Sequence, residues 1–167
     1  MREASLTTKR LRAVLDYEPS TGLFRWRIRL SNRVKVGDIA GSRTKYGYVE
    51  IRIDDSLYLA HRLAVKWVTG RWPKVIIDHR DVNDRSNRWG NLRQATHSQN
   101  HGNTNLQKNN TSGFRGVVWF ARDKCWRAQI KINGSTIHLG YFKTAEAASA
   151  AYLAAAEKHF GEFLRAA

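Results

Sequence analysis

Apolar positions near the start of the chain recur at helical spacing. Leu11, Val14 and Leu15 fall on one face, which predicts a short helix over residues 5–17. Glu18-Pro19-Ser20-Thr21-Gly22 then breaks the chain with turn formers. From residue 23 to 30 the period drops to two, with Phe24, Trp26 and Ile28 alternating with Arg25, Arg27 and Arg29. That pattern predicts a half-buried strand whose basic outer face suits phosphate contacts. Short strands are expected near 34–39, 48–53 and 57–60, separated by Gly and Asp turns. The helical period returns over residues 61–68, with Leu63, Ala64, Trp67 and Val68 inward and Gly70 as the stop. A short apolar strand leads to residue 79, another covers 92–95, and a helix begins at Thr96 or Ser98. The polar stretch 103–112 reads as a linker. Beyond it, strands are expected at 115–120, 126–132 and 136–139, the last two joined by the hairpin signal Asn133-Gly134. An alanine-rich helix over 144–160 follows, capped by Thr144 and stopped by Gly161. The layout is α+β, in two small units.

Charge narrows the partners. The 167 residues carry 29 Lys and Arg against 14 acids, a formal net charge of +15. Twenty basic and ten acidic residues precede position 108, and nine and four follow, so both parts are basic. An excess spread through foldable sequence points to a polyanion, since each neutralised phosphate releases counterions. No apolar run is long enough to span a membrane, and Met1-Arg2-Glu3-Ala4-Ser5 leads into charged residues, not an apolar signal segment. Cys125 is the single cysteine and cannot form an internal disulfide, so a reduced, cytoplasmic setting is expected.

The densest chemistry lies between residues 75 and 101. Val75-Ile76-Ile77 delivers Asp78-His79 into a loop rich in Asn and Asp, followed by Asn91-Leu92-Arg93, Thr96 and Asn100. Phosphodiester hydrolysis needs an activated water and a cation near the phosphoryl and departing oxygens. Histidine, with an ordinary pKa of about 6.5, can serve as a neutral base near physiological pH. Asp and Asn oxygens, with waters, suit Mg²⁺. Asp78-His79, Asp81, Asn83, Asn87, Asn91-Leu92-Arg93, Thr96 and Asn100 resemble the HNH nuclease family in its phage and intron-encoded homing-endonuclease branch. His61-Arg62-Leu63-Ala64 resembles an upstream element of the same family, and the likeness covers roughly residues 20–105. Val82 stands where that family usually has Gly.

The resemblance implies a ββα-metal domain in which His79 activates water and Asp78 and Asn100 hold one Mg²⁺ or Mn²⁺. Asn91 would orient the imidazole or brace the loop between the two strands, and products would carry a 5′-phosphate and a 3′-hydroxyl. His101 is an alternative to Asn100 as ligand, and His97 with His101, at i and i+4, is an alternative zinc pair. His61 is expected to be a buried helix-start residue.

A second likeness covers residues 112–163. Ser112-Gly113-Phe114-Arg115-Gly116-Val117, Trp126-Arg127-Ala128-Gln129-Ile130 and Ile137-His138-Leu139-Gly140-Tyr141-Phe142 resemble the plant apetala-two/ethylene-response-factor DNA-binding domain. That implies a three-stranded antiparallel sheet packed on one helix and laid in the major groove. Alternation assigns Arg115, Arg127, Gln129, Lys131, Thr136 and His138 to the reading face. Val118, Gln129 and His138 depart from the plant pattern, so the plant target does not transfer.

The expected organisation is a nuclease domain at 1–104, a linker at 105–112 and a DNA-binding domain at 113–167. The expected protein is a metal-dependent, site-preferring endonuclease of a phage or mobile element in a bacterial host, acting on double-stranded DNA. It would work as a monomer or weak dimer, nicking as a monomer. The alternative is a non-catalytic DNA-binding regulator with a decayed HNH fold.

Overall fold

A computed structural model describes residues 5–81, 86–102, 106 and 109–164, with the side chain of His101 outside that set. Val82 and Asn83 of the quoted motif, and part of the expected linker, lie outside the described residues. Among the described residues, elements of both kinds and four small sheets make an α+β protein. None of the described helices is long and apolar enough to cross a membrane. The chain divides into two compact units, Met1–Gln94 and Ala95–Ala167.

In the first unit, Thr7 caps α1 (Thr8–Val14), its hydroxyl accepting from Arg10 N at 3.1 Å. The helix ends three residues before the expected position 17 because Leu15 starts a strand. β1 (Leu15–Glu18) pairs antiparallel with β2 (Leu23–Trp26), setting Tyr17 opposite Phe24 and Leu15 opposite Trp26. β2 stops at Trp26, four residues short of the expected strand. The expected strand at 34–39 is absent. Lys35 N donates to the Asp38 carboxylate in a turn, and only Ile39 forms a bridge, to Arg25. β3 (Ser42–Arg43), β4 (Val49–Ile53) and β5 (Ser56–Leu59) form a meander. The β4–β5 turn places Asp54 and Asp55 at positive φ, the geometry of a tight hairpin.

α2 (Ala60–Thr69) follows β5 directly and ends at Gly70, which takes the left-handed conformation at φ 77°. Its buried side includes His61, Leu63, Ala64 and Val65, while Val68 is exposed. Leu63 and Ala64 make one core with Leu11, Val14, Leu15, Phe24, Ile51 and Ile53. A fully buried Leu, Ile or Phe contributes about 1.5–3 kcal/mol, so the hairpins are fixed by the helices they cover. β6 (Ile76–His79) and β7 (Leu92–Ala95) pair as a two-stranded ribbon.

In the second unit, α3 (His97–Gly102) is a short helix whose entry is tied by Thr96 and Gln99. Thr96 N donates to the Gln99 side chain, and Gln99 N donates to the Thr96 hydroxyl. β8 (Val117–Phe120), β9 (Cys125–Ile132) and β10 (Ser135–Phe142) form an antiparallel sheet in the order β10-β9-β8. Asn133 and Gly134, both at positive φ, turn β9 into β10. α4 (Ala145–Phe160) packs on the sheet, capped by Thr144 and followed by Gly161. Ala148 and Ala156 are fully buried, so the helix backbone lies close to the strands. Ala95 packs with Ile130, Tyr152, Ala156, Phe160 and Phe163, in keeping with a second unit that begins at Ala95.

Candidate nuclease site

β6 carries Asp78 and His79 side by side, and successive residues of a strand point to opposite faces. Both are nonetheless buried, because each face is covered. On one side, the Asp78 carboxylate takes a two-pronged ion pair from Arg93 on β7. Arg93 Nε and Nη2 both lie 2.9 Å from Oδ2, and the two side chains are 7% and 8% exposed. On the other side, His79 meets His61 of α2 edge-on at 5.2 Å between ring centres, with Tyr48 at 6.3 Å. His79 Nε2 lies 3.1 Å from Oδ1 of Asn87, itself buried.

Asn91 occupies the turn into β7 and ties the loop to the ribbon. Its Oδ1 accepts from Asp81 N at 2.9 Å, and its Nδ2 donates to the Asp81 carboxylate and to Ser86 O. Its carbonyl accepts from Arg80 N. Of the two tasks expected for Asn91, these bonds match the loop brace, while the bond to the imidazole comes from Asn87. Asn100 sits half-buried in α3, its N–H donating to Thr96 O at 3.0 Å. It belongs to the second unit and Asp78 to the first.

His61 is buried as expected, and it is also part of the His79 surroundings. Burial first, then the charges of His79 and Arg62, pushes its imidazole down to about 3. The unfolded chain takes a proton there near pH 6.5, whereas the folded chain does so only near 3. Stability is therefore full above pH 6.5 and falls as the pH descends toward 3. Urea unfolding is expected to show a loss on the order of 2 kcal/mol from this group between pH 6.5 and 5. The His61→Gln variant should lack that part of the acid loss; an identical pH slope in both proteins would remove His61 as its source.

The Asp78 carboxylate is of the oxygen type that suits a hard cation keeping several waters. No group of three or more His, Cys, Asp and Glu that could hold a metal occurs among the described residues. A cation at Asp78 would share the carboxylate with Arg93, a pairing that the sequence reading did not include.

The expected basic row on β2 is corrected. Arg25 alone lies in the strand, because β2 ends at Trp26, and each guanidinium reaches a backbone carbonyl. Arg25 donates to Gly37 O, Arg27 to Arg12 O and Arg29 to Ser31 O. All three remain at the surface.

In the second unit, Arg127, Gln129 and Lys131 lie on β9, and Thr136 and His138 on β10. Ala128 and Ile130 are buried while Arg127, Gln129 and Lys131 face the other way. Lys131 stands opposite Thr136, and Gln129 opposite His138. Arg115 lies in the turn before β8, because the strand starts at Val117 and not at 115, and it donates to Gly102 O and contacts Tyr152. The adjoining Gly116, at φ 69°, lies so close that a Cβ there would stand 2.3 Å from the Tyr152 ring. The sequence reading missed Tyr141. A bulge between His138 and Gly140 brings Tyr141 opposite Arg127, its ring 4.6 Å from that of His138 and 5.5 Å from that of Phe120.

Comparison with known proteins bears on this ribbon directly. The family model described as HNH endonuclease matches residues 58–102, from β5 through α3. Protein 3.8 of Escherichia phage T7 is 32% identical over 89 residues, covering 53% of this chain and 73% of that protein. No solved structure matches the chain significantly. With the Asp-His ribbon, the family match and the phage relative together, the chain belongs to the HNH endonuclease family.

Proposed function

We propose that this chain is a metal-dependent DNA endonuclease in which His79 is the general base. The observation that carries the reading is His79 held at the end of β6 by the Asn87 side chain, beside the buried carboxylate of Asp78, in the segment matching the HNH endonuclease model. A bound Mg²⁺ or Mn²⁺ would supply positive charge for the oxygens that become negative as the phosphodiester breaks. Asp78 would hold that ion through its carboxylate. Asn100 as the second ligand, in a ββα-metal arrangement, rests on the sequence match alone. His79 takes the proton of the attacking water on an imidazole nitrogen, and Asn91 keeps the intervening loop against the ribbon.

The second unit supplies affinity and address. Arg127, Gln129, Lys131, Thr136 and His138 form a polar sheet face in the manner of an apetala-two-like reader, and a sheet can enter the major groove. Lys131→Ala is expected to weaken duplex binding evenly across sequences and lower the salt slope by about 1. Gln129→Ala should relax preference at one base pair, by about 1–3 kcal/mol of discrimination. Titrations of labelled duplexes at several salt concentrations would show both; unchanged slope and preference would remove this face from the DNA. A tethered binding module raises the local concentration of the cutting site at its target, as in a homing-type enzyme of a phage that nicks as a monomer in its bacterial host.

The Arg93–Asp78 ion pair gives one specific reason to weigh a second reading, a chain that binds DNA without cutting it. Incubating an end-labelled duplex with the protein and Mg²⁺, then mapping the ends, separates the two. New 5′-phosphate and 3′-hydroxyl ends support the nuclease, whereas a retarded but intact duplex supports the second reading.

A further inference from the structure

The His79 ring is anchored from a part of the chain far from it in sequence. Asn87 presents Oδ1 to Nε2 at 3.1 Å, with both residues buried, so water does not readily replace this contact. Asn87 is in turn fixed by its backbone. The Tyr17 hydroxyl donates to the Asn87 carbonyl at 2.6 Å, and Trp89 N donates to Pro19 O at 2.9 Å. Gly22, at φ 76°, packs so tightly that a Cβ would stand 2.3 Å from the Asn87 carbonyl carbon. Burial pushes the Tyr17 phenol up to about 12, so it remains a donor throughout the neutral range. The β1–β2 turn thereby clamps the segment that carries Asn87.

We infer that Asn87 is a positioning residue for the cleavage reaction: its side-chain oxygen accepts from Nε2–H of His79, fixing the tautomer in which Nδ1 carries the lone pair for the attacking water. A neutral imidazole has one donor and one acceptor, and a bond that needs the donor at Nε2 decides which nitrogen is basic. The other tautomer would set two acceptors against each other at this contact. The Asn91 amide is engaged elsewhere, bridging Asp81 and Ser86. The loop brace and the ring anchor are thus two asparagines four positions apart. The inference rests on His79 being the general base.

The test has two arms, each on the full chain. In the first, ¹⁵N-histidine-labelled wild type, Asn87→Ala and Asn87→Asp are compared by long-range ¹H–¹⁵N spectra at a pH where the ring is neutral. His79 is assigned with His79→Gln. Wild type should show the Nε2–H tautomer alone, Asn87→Ala a mixture, and Asn87→Asp, which keeps an acceptor oxygen, the Nε2–H form again. In the second, single-turnover nicking of supercoiled plasmid with Mg²⁺ is expected to fall about 10–100-fold in Asn87→Ala. Plasmid affinity should stay unchanged, and most of the rate should return in Asn87→Asp. An Nδ1–H tautomer in wild type, or the wild-type tautomer and rate in Asn87→Ala, overturns the inference. If the tautomer follows residue 87 as stated but wild type does not cut, the anchoring stands and the base assignment fails. If wild type cuts and Asn87→Ala matches it in both arms, the positioning role fails alone.

Discussion

Replacing His79 with Ala is expected to slow metal-dependent nicking by about 10²–10⁴-fold, the usual contribution of a positioned general base. Several features of the site make the loss specific to chemistry. The imidazole is buried between His61 and Asn87. His61 cannot substitute well, because its imidazole is held down to about 3 and is a correspondingly weak base. The polar sheet face that is proposed to bind DNA lies in the second unit and is untouched by the change. Affinity for duplex DNA should therefore stay within about two-fold, so that the defect appears in the rate at saturating protein. Single-turnover rates and binding curves, measured on one plasmid preparation, would show it. A variant that nicks at the wild-type rate would take the base role away from His79.

Arg93→Ala is expected to destabilise the first unit by about 3–5 kcal/mol, the range for removing one partner of a buried ion pair. The magnitude follows from burial. Asp78 and Arg93 are 7% and 8% exposed and meet through two N–O contacts of 2.9 Å, so the remaining carboxylate would lie in a site poor in water. A part of that loss should be recoverable. A cation that binds the folded carboxylate stabilises the fold by mass action, about 2.7 kcal/mol at one hundred times its dissociation constant. Urea unfolding of Arg93→Ala should therefore shift to higher midpoint with Mg²⁺, and more than wild type does, since Arg93 no longer competes for the same oxygens. Equal midpoints with and without Mg²⁺ would argue against Asp78 as a ligand.

What the sequence made legible, and what it hid, follows from the reach of each interaction. α2, β6, β7, β9 and α4 lie where periodicity and caps set them, because their signals are local: apolar spacing, Gly70 and Gly161 as stops, Thr144 as a cap. The helix expected at 5–17 was cut to Thr8–Val14 because residues 15–18 pair with 23–26, a tertiary gain that overrides a weak helical preference. The strand expected at 34–39 gave way to a turn anchored by Asp38. The bulge after His138 turned Tyr141 onto the polar face, which strict alternation does not anticipate.

At the site, Asp78 and His79 were visible as a pair, and Asn87 as part of the motif. The role of Asn87 was not, because its carbonyl is held by Tyr17, seventy positions away. Arg93 was quoted in the same motif, and only the pairing of β6 with β7 brings it to Asp78. A cation two residues into the strand that pairs with an Asp-bearing strand is the signal that could have raised it.

The most direct measurement is the fate of supercoiled plasmid incubated with the full chain, followed over time with Mg²⁺ and in parallel with excess EDTA. Relaxed circles that accumulate only with the metal are the expected result. Plasmid that is bound in a gel-shift assay yet stays supercoiled across Mg²⁺ and Mn²⁺ would contradict a metal-dependent nuclease.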